Sequence, residues 1–355
     1  MKEACAMEGV VVVRTGGEIG IKSKPVRRAY ENLVLKTIHG ILKDEGIPFS
    51  DIWRTAGRIY IRTEESERAA RRVARVFGVS STSPGVALKS DLETIVQAGT
   101  EIAQKTLRSG TFAVRCRRTG SHPYSSVQVA ALLGESIRGL GKDLKVDLTN
   151  PQQVISVEIR DELAIIYARA IRGPDGFPVG TQEMLLGIVD ETADSLLASW
   201  CMMKRGAQLK ALVLEKKEGL TSSTLVNLRI LAGWMPGNRI RAIVVPPNER
   251  NADRLRPLQL QLAVCAAKSK GMGGAVSGLQ PSLKALRKIT QPQVCIFFPL
   301  IAMDDRLLER WSEMVGIDLS VSARYDKKTS LDHDFSDSEL ERILSASKEI
   351  TVRAD

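Results

Sequence analysis

The chain has 355 residues, 43% hydrophobic and 26% charged, and carries a net charge of +10. This is the balance of a soluble globular protein with room for two or three domains, and no apolar run nears the ~20 residues of a membrane-spanning helix. The start, MKEACAMEGV, is too short and too acidic for a secretory signal, and Cys5, Cys116, Cys201, Cys265 and Cys295 are dispersed without a C-x-x-C, so a reducing, cytoplasmic setting is expected.

Residues 9–80 predict a small α+β unit. Residues 10–13 form a strand, and residues 14–24 (RTGGEIGIKSK) a Gly-rich basic loop. Residues 26–43 form a helix with Tyr30, Leu33, Val34, Ile38 and Leu42 on one face. Residues 58–62 alternate as a strand, and residues 64–77 form a second helix. Strand, helix, strand, helix with short connections fits a ferredoxin-like fold. Lys22, Lys24, Arg27 and Arg28 gather at the loop and helix start, as either a solvated basic edge or a contact for nucleic-acid phosphate.

Ser83-Pro84-Gly85 marks a boundary. Residues 91–107 form a helix. Residues 111–118 (TFAVRCRR) form a strand with Phe112, Val114 and Cys116 facing inward, Arg115 and Arg117 facing solvent, and Arg118 at its end. The polar loop from Thr119 to Ser126 caps a helix over residues 127–140. Lys142 and Lys145 precede two strands, residues 154–160 and 163–170, joined by Arg160-Asp161-Glu162. The basic excess lies in this front half, since residues 1–180 hold 27 basic and 20 acidic residues against 24 and 21 in the rest. Such an imbalance favours a polyanionic partner, most simply nucleic acid. Tyr124 and His122 are candidates for stacking on an unpaired base, with turn packing as the competing role for Tyr124.

From residue 181 strands and helices alternate. Strands fall at residues 185–189, 211–215, 241–245 and 294–298. Helices fall at residues 194–205, 222–234, 258–268, 306–315 and 336–347. That alternation predicts a doubly wound parallel α/β sheet whose switch-point crevice lies beside residues 190–195. A strand–loop–helix junction presents backbone N–H groups and a helix dipole to an anion.

These motifs together resemble the tRNA 4-thiouridine synthetase (tRNA sulfurtransferase) family. In the front domain, residues 1–80, the matching residues are Glu18-Ile19-Gly20-Ile21-Lys22, Gly57-Arg58-Ile59 and Phe77-Gly78-Val79-Ser80. Residues 84–172 resemble a THUMP domain through Phe112-x-Val114-Arg115-x-Arg117-Arg118, Lys145-Val146-Asp147-Leu148-x-Asn150-Pro151 and Val157-Glu158-Ile159-Arg160. Gly173-Pro174-x-Gly176-x-Pro178-Val179-Gly180 resembles the linker into a pyrophosphate-loop domain, residues 173–355. The resemblance implies that the first two domains grip the acceptor end of tRNA, with Arg115, Arg117, Arg118, Lys142, Lys145, Lys22, Lys24, Arg27, Arg28 and Tyr124 as RNA-contact candidates. A homodimer and a separate catalytic or sulfur-carrier protein are the further partners it leaves open.

In the third domain the likeness thins at the chemistry. Met203-Lys204-Arg205-Gly206 matches the family's helix end, but its Ser-Gly-Gly-x-Asp-Ser loop reads Asp190-Glu191-Thr192-Ala193-Asp194-Ser195. Side chains at Glu191 and Thr192 obstruct the tight turn that glycine permits. Two carboxylates in the polyphosphate's place would repel by roughly 1–4 kcal/mol. Asp190, Glu191, Thr192, Asp194 and Ser195 are therefore read as a vestigial nucleotide site. ATP, the family's cofactor, is expected to bind weakly or not at all, the other route being altered, metal-bridged nucleotide binding. The family's arginine before Pro299 is Phe298, and its Gly-Asp pair is Gly278-Leu279. Cys201 and Cys295 read as buried inert thiols. Cys265, the remaining sulfur-carrier candidate, is followed by Lys268 and not by a second cysteine. No catalytic or metal-binding residue is assigned. A tRNA-binding subunit is the leading reading, an active sulfurtransferase and a protein-interaction module the alternatives.

Overall fold

The structure, a computed structural model, describes residues 7–55, 57–216, 219–247, 255–282, 294–319, 322–325 and 335–354. The chain divides into two units, Met1–Arg27 with Ile38–Asp175, and Arg28–Thr37 with Gly176–Asp355. No helix among the described residues is long and apolar enough to cross a membrane.

The elements up to Asp175 are β1 (Glu8–Thr15), α1 (Gly17–Gly20), α2 (Lys24–Asp44), β2 (Asp51–Thr55), β3 (Arg58–Arg62), α3 (Ser66–Val73), β4 (Val79–Lys89) and α4 (Leu92–Thr106). They continue with β5 (Gly110–Thr119), α5 (Ser126–Arg138), β6 (Leu144–Val146), β7 (Gln153–Arg160), β8 (Leu163–Tyr167) and β9 (Ile171–Arg172). Their strands form one sheet in the order β2-β3-β1-β4-β8-β7-β5-β6, with β9 on β4. The expected strands and helices are present, and β2 is added as a hairpin partner of β3. Ser83-Pro84-Gly85, read as a boundary, lies inside β4. This strand pairs β1 on one side and β8 on the other, so the two parts share a strand and not a linker. Gly85 is needed there because a Cβ would stand 2.4 Å from the Ile166 carbonyl oxygen.

Alternation along each strand sorts the sheet into two faces. One carries Thr82, Leu88, Phe112, Val114, Ile155, Val157, Ile159, Ala164 and Ile166, and α3, α4 and α5 pack on it. The other carries a smaller buried cluster of Val10, Val12, Tyr60, Ala87 and Ile165, with Trp53, Leu163 and Tyr167 against it. Arg58 of β3 and Glu158 of β7 lie four strands apart, which in a flat sheet is about 19 Å. Their side chains meet at 2.5 Å. The sheet must therefore curl toward this second face, as its right-handed twist favours.

The second unit contains β10 (Gln182–Ile188), α6 (Ala193–Lys204), β11 (Ala207–Leu214), α7 (Ser222–Ala232), β12 (Arg239–Val245), α8 (Leu255–Ser269), β13 (Gly274–Val276) and β14 (Cys295–Phe297). After these come α9 (Asp305–Val315), α10 (Asp337–Ser345) and β15 (Lys348–Arg353). The sheet order is β14-β13-β10-β11-β12-β15, parallel except for β15. From β10 the chain winds outward through β11 to β12, and α8 then returns it to β13 on the opposite side of β10. The winding direction reverses at β10, so a crevice opens at that strand's carboxyl end. Trp200 of α6 packs edge-on against Trp234 and beside Trp311, with ring centres 5.4 and 5.6 Å away.

Candidate functional site

Leu185, Leu186, Ile188 and Val189 are buried, so β10 carries its chain into the switch point on an apolar run. The chain then turns on Asp190. One carboxylate oxygen accepts from the Thr192 backbone N–H at 2.9 Å and from its hydroxyl at 2.6 Å. Thr192 is the N-cap of α6, its hydroxyl accepting from Ser195 N–H at 3.2 Å. The Ser195 hydroxyl donates to the Thr192 carbonyl at 2.9 Å and accepts from Asp190 N–H at 3.1 Å. Asn227 of α7 donates to the carbonyls of Asp190 and Thr192 at 2.7 and 3.1 Å. Threonine therefore closes the turn with side-chain bonds where glycine would have closed it with backbone freedom.

The second Asp190 oxygen is held from outside the loop. Arg256, at the start of α8, is hydrogen-bonded and ion-paired to it, and the Tyr325 hydroxyl donates to it at 2.8 Å. The Arg256 guanidinium lies 4.4 Å from the Tyr325 ring centre. Burial, reinforced by the Asp190 charge, raises the Tyr325 hydroxyl well above its ordinary pKa, so it stays a donor. Asp194 accepts from Arg324 Nε at 2.7 Å and from Tyr325 N–H at 2.9 Å. Hydrogen bonding to Asp194 raises the Arg324 pKa. Ala193 N–H, in the first turn of α6, donates to the Ala323 carbonyl at 2.8 Å. Glu191 points away to Lys216 at 3.2 Å. The repulsion expected between neighbouring carboxylates is thus offset, because each has its own cation. Gly278 presses on the helix start, where a Cβ would meet the Asp194 backbone at 2.5 Å.

The cysteines divide differently from expectation. Cys201 is buried, and burial pushes its thiol far up. Cys295 is exposed on the edge strand β14, which corrects its reading as a buried thiol. Cys265 is half-buried, and burial, then Glu341 and Asp337, raises its pKa. Among the described residues no three of His, Cys, Asp and Glu stand together as a metal site.

In the first unit Arg115, Arg117, Arg118 and Lys145 are exposed. Arg115 donates to the Leu148 carbonyl at 2.5 Å, and Arg118 to the Gly120 carbonyl at 3.0 Å. Lys142 is turned inward, its ammonium on the carbonyls of Gln104 and Leu107 at the end of α4. Tyr124 is corrected from a base platform to a core residue: it is 7% exposed and its hydroxyl is bonded to the Ser90 carbonyl. His122 sits between Arg118 and the Asp161 carbonyl, 3.2 and 2.6 Å away. Lys24, Arg27 and Arg28 are exposed and Lys22 half-buried; the first turn of α2 holds no acid.

Strand register places further cations with these. Arg14, Arg58, Arg62, Lys89, Arg115, Arg117, Lys145, Arg160 and Arg172 share the curled face, against Glu8, Asp51 and Glu158. Glu158 is 4% exposed and is the centre of a clamp. Arg58 reaches it at 2.5 Å, the Tyr167 hydroxyl at 2.6 Å, the Tyr60 hydroxyl at 3.4 Å and Arg14 at 3.9 Å. Neither this clamp nor the Arg256, Arg324 and Tyr325 set was legible in the sequence, because the ion pairs of Arg58, Arg256 and Arg324 and the Tyr325 hydrogen bond join residues 66 to 135 positions apart.

Profiles of known families match two segments, the ThiI ferredoxin-like domain over residues 10–83 and the THUMP domain over residues 89–169. A probable tRNA sulfurtransferase of Methanosarcina acetivorans is 33% identical over 323 residues, 83% of this chain and 78% of the relative. A probable tRNA sulfurtransferase of Saccharolobus solfataricus is 34% identical over 238 residues, 66% of this chain and 62% of that one. Among solved structures, the Pyrococcus horikoshii protein PH1313 superposes with a TM-score of 0.68 at 27% identity, over 87% of this chain and all of its own. A 4-thiouridine synthetase crystallised with RNA and ATP superposes at 0.77 over 98% of this chain and all of its own, at 19% identity. That last likeness shows a common fold.

Proposed function

The chain belongs to the tRNA sulfurtransferase family, and from that membership we propose that it binds tRNA and serves tRNA modification without adenylating its substrate. The observation that carries this reading is the Asp190 carboxylate. It takes the Thr192 N–H and hydroxyl at the start of α6, together with Arg256 and Tyr325. Those are the groups an α/β enzyme offers to a phosphate. Here the anion they hold is built into the chain, so a nucleotide would have to displace a bonded, 4% exposed carboxylate before reaching them.

The tRNA half of the reading rests on the THUMP match, the sulfurtransferase relatives and the exposed Arg115, Arg117, Arg118 and Lys145. Guanidinium groups fork onto phosphate oxygens and fix register along a backbone. The acceptor end of tRNA is the expected target, with the sulfur chemistry supplied by a separate protein. Calorimetry with ATP and Mg²⁺, in the presence and absence of tRNA, tests the first half. No binding in the micromolar range is expected, and a micromolar Kd would overturn the non-adenylating reading in favour of an active sulfurtransferase. Nucleoside mass spectrometry of tRNA from cells lacking the protein tests the second: a tRNA modification should fall, and an unchanged profile would sink it.

A further inference from the structure

We propose that Glu158 and Arg58 are positioning residues that keep Arg117 free to take an RNA phosphate. The proposal rests on the tRNA-binding reading and deepens it. Arg117 on β5 is the register partner of Glu158 on β7. Neighbouring strands stand ~4.8 Å apart, and opposite charges so placed ordinarily pair. That pair is not made. Arg117 is exposed and makes no ion pair among the described residues, whereas Glu158 is buried and turned the other way.

The reason lies in the curl of the sheet. It brings Arg58 from four strands away onto the carboxylate, with the Tyr167 and Tyr60 hydroxyls completing its acceptor needs. A buried carboxylate is stable only when paired and hydrogen-bonded. Swinging out to Arg117 would exchange three hydrogen-bond donors for one solvated cation. Arg14 stands 3.9 Å off, stacks on the Tyr167 ring and donates to Ser83 at 3.0 Å, so it is committed elsewhere. Removing Arg58 would leave Glu158 with no hydrogen-bonded cation, Arg14 standing 3.9 Å off, beside its register partner. The two would then pair, and a phosphate would have to compete with that carboxylate for Arg117.

The test measures binding of full-length protein to an unmodified tRNA transcript across a salt series. Arg117→Ala is expected to raise Kd about tenfold, the loss of one charge-assisted bond, and to lower the salt slope by about one phosphate contact. Arg58→Met should do the same although Arg58 is clamped to Glu158. Combining the two should cost no more than either alone. Arg58→Met with Glu158→Gln should return Kd to within about twofold of the natural chain, since the glutamine carries no charge to set against Arg117. A purely structural role for Arg58 predicts the opposite, a double variant worse than the single.

Wild-type binding by Arg58→Met alongside a loss in Arg117→Ala would overturn the positioning claim and leave the tRNA reading standing. A loss in Arg58→Met that Glu158→Gln does not reverse would overturn it equally. Wild-type binding by Arg117→Ala would overturn the tRNA contact beneath it. Should Arg58→Met lack a cooperative thermal transition, Tyr167→Phe replaces it. That variant removes one hydroxyl, and a smaller loss reversed by Glu158→Gln is expected; no loss, or no reversal, would overturn the proposal.

Discussion

At the scale of single residues, Asp190 plays two parts: one carboxylate oxygen closes the turn on Thr192 and the other fills the anion seat between Arg256 and Tyr325. Alanine there strips Arg256 and the Tyr325 hydroxyl of their shared acceptor, a loss expected to cost about 3 kcal/mol in urea unfolding. The vacated seat should then take a free anion. Millimolar phosphate should raise the melting temperature of Asp190→Ala and leave the natural chain unmoved, since only an anion bound to the native state adds stability. Equal response of both proteins would show that Asp190 does not occupy an anion seat. Tyr325 adds a pH dependence whose sign follows from its raised pKa. The hydroxyl keeps its proton in the folded state above pH 10 while the unfolded chain releases it. Its contribution is therefore full below about pH 10 and lost as pH rises toward the folded value. Tyr60 and Tyr124 shift in the same direction, so Tyr325→Phe should shallow the alkaline loss of stability between pH 9 and 11 without abolishing it. An unchanged slope would place the tyrosine outside the buried site.

At the scale of elements, local pattern revealed what local pattern determines. The helices α2, α4, α5 and α6 announce themselves by apolar periodicity and by caps. Asp91 accepts from Thr94 N–H and hydroxyl at 2.9 and 2.8 Å, and Ser125 and Gln128 form a capping box. Asp91→Ala should cost about 1 kcal/mol at neutral pH. Those bonds lower the Asp91 pKa, so the difference should shrink as the pH falls below about 4 toward the lower folded value, where the carboxylate of the native chain protonates; a difference unchanged by acid would speak against a charged cap. The strand β4 hid because Val79–Lys89, VSSTSPGVALK, has the composition of a turn and is held extended by partners on both sides. Its Gly85 faces the Ile166 carbonyl too closely for any side chain. Gly85→Ala should destabilise the protein by more than 2 kcal/mol, through displaced strand pairing. Loss of under 0.5 kcal/mol would mean the seam between β4 and β8 yields easily. The edge strand β15 was missed for a related reason: Lys348–Arg353 alternates charge with aliphatic residues, a pattern that only pairing with β12 turns into a strand.

At the scale of the whole molecule, charge was legible as an excess but not as a surface. Counting showed that the front half is basic; only register shows, among the described residues, nine cations on one sheet face against three carboxylates. The closed state of the loop was half legible. The lost glycines were plain in Glu191 and Thr192, but the arginines that neutralise Asp190 and Asp194 come from segments with no motif of their own. The charge excess carries the last prediction. Each phosphate that the protein neutralises releases condensed counterions, so the logarithm of the tRNA association constant should fall linearly with the logarithm of salt, by about 0.7–0.9 per contact. Replacing Arg115, Arg117 and Arg118 together with alanine should shallow that line by two to three units and weaken binding by a few kcal/mol at low salt. The effect should shrink toward nothing as salt approaches 1 M, where screening reaches only about 3 Å. Three replaced cations that left the slope untouched would place the polyanion on another surface.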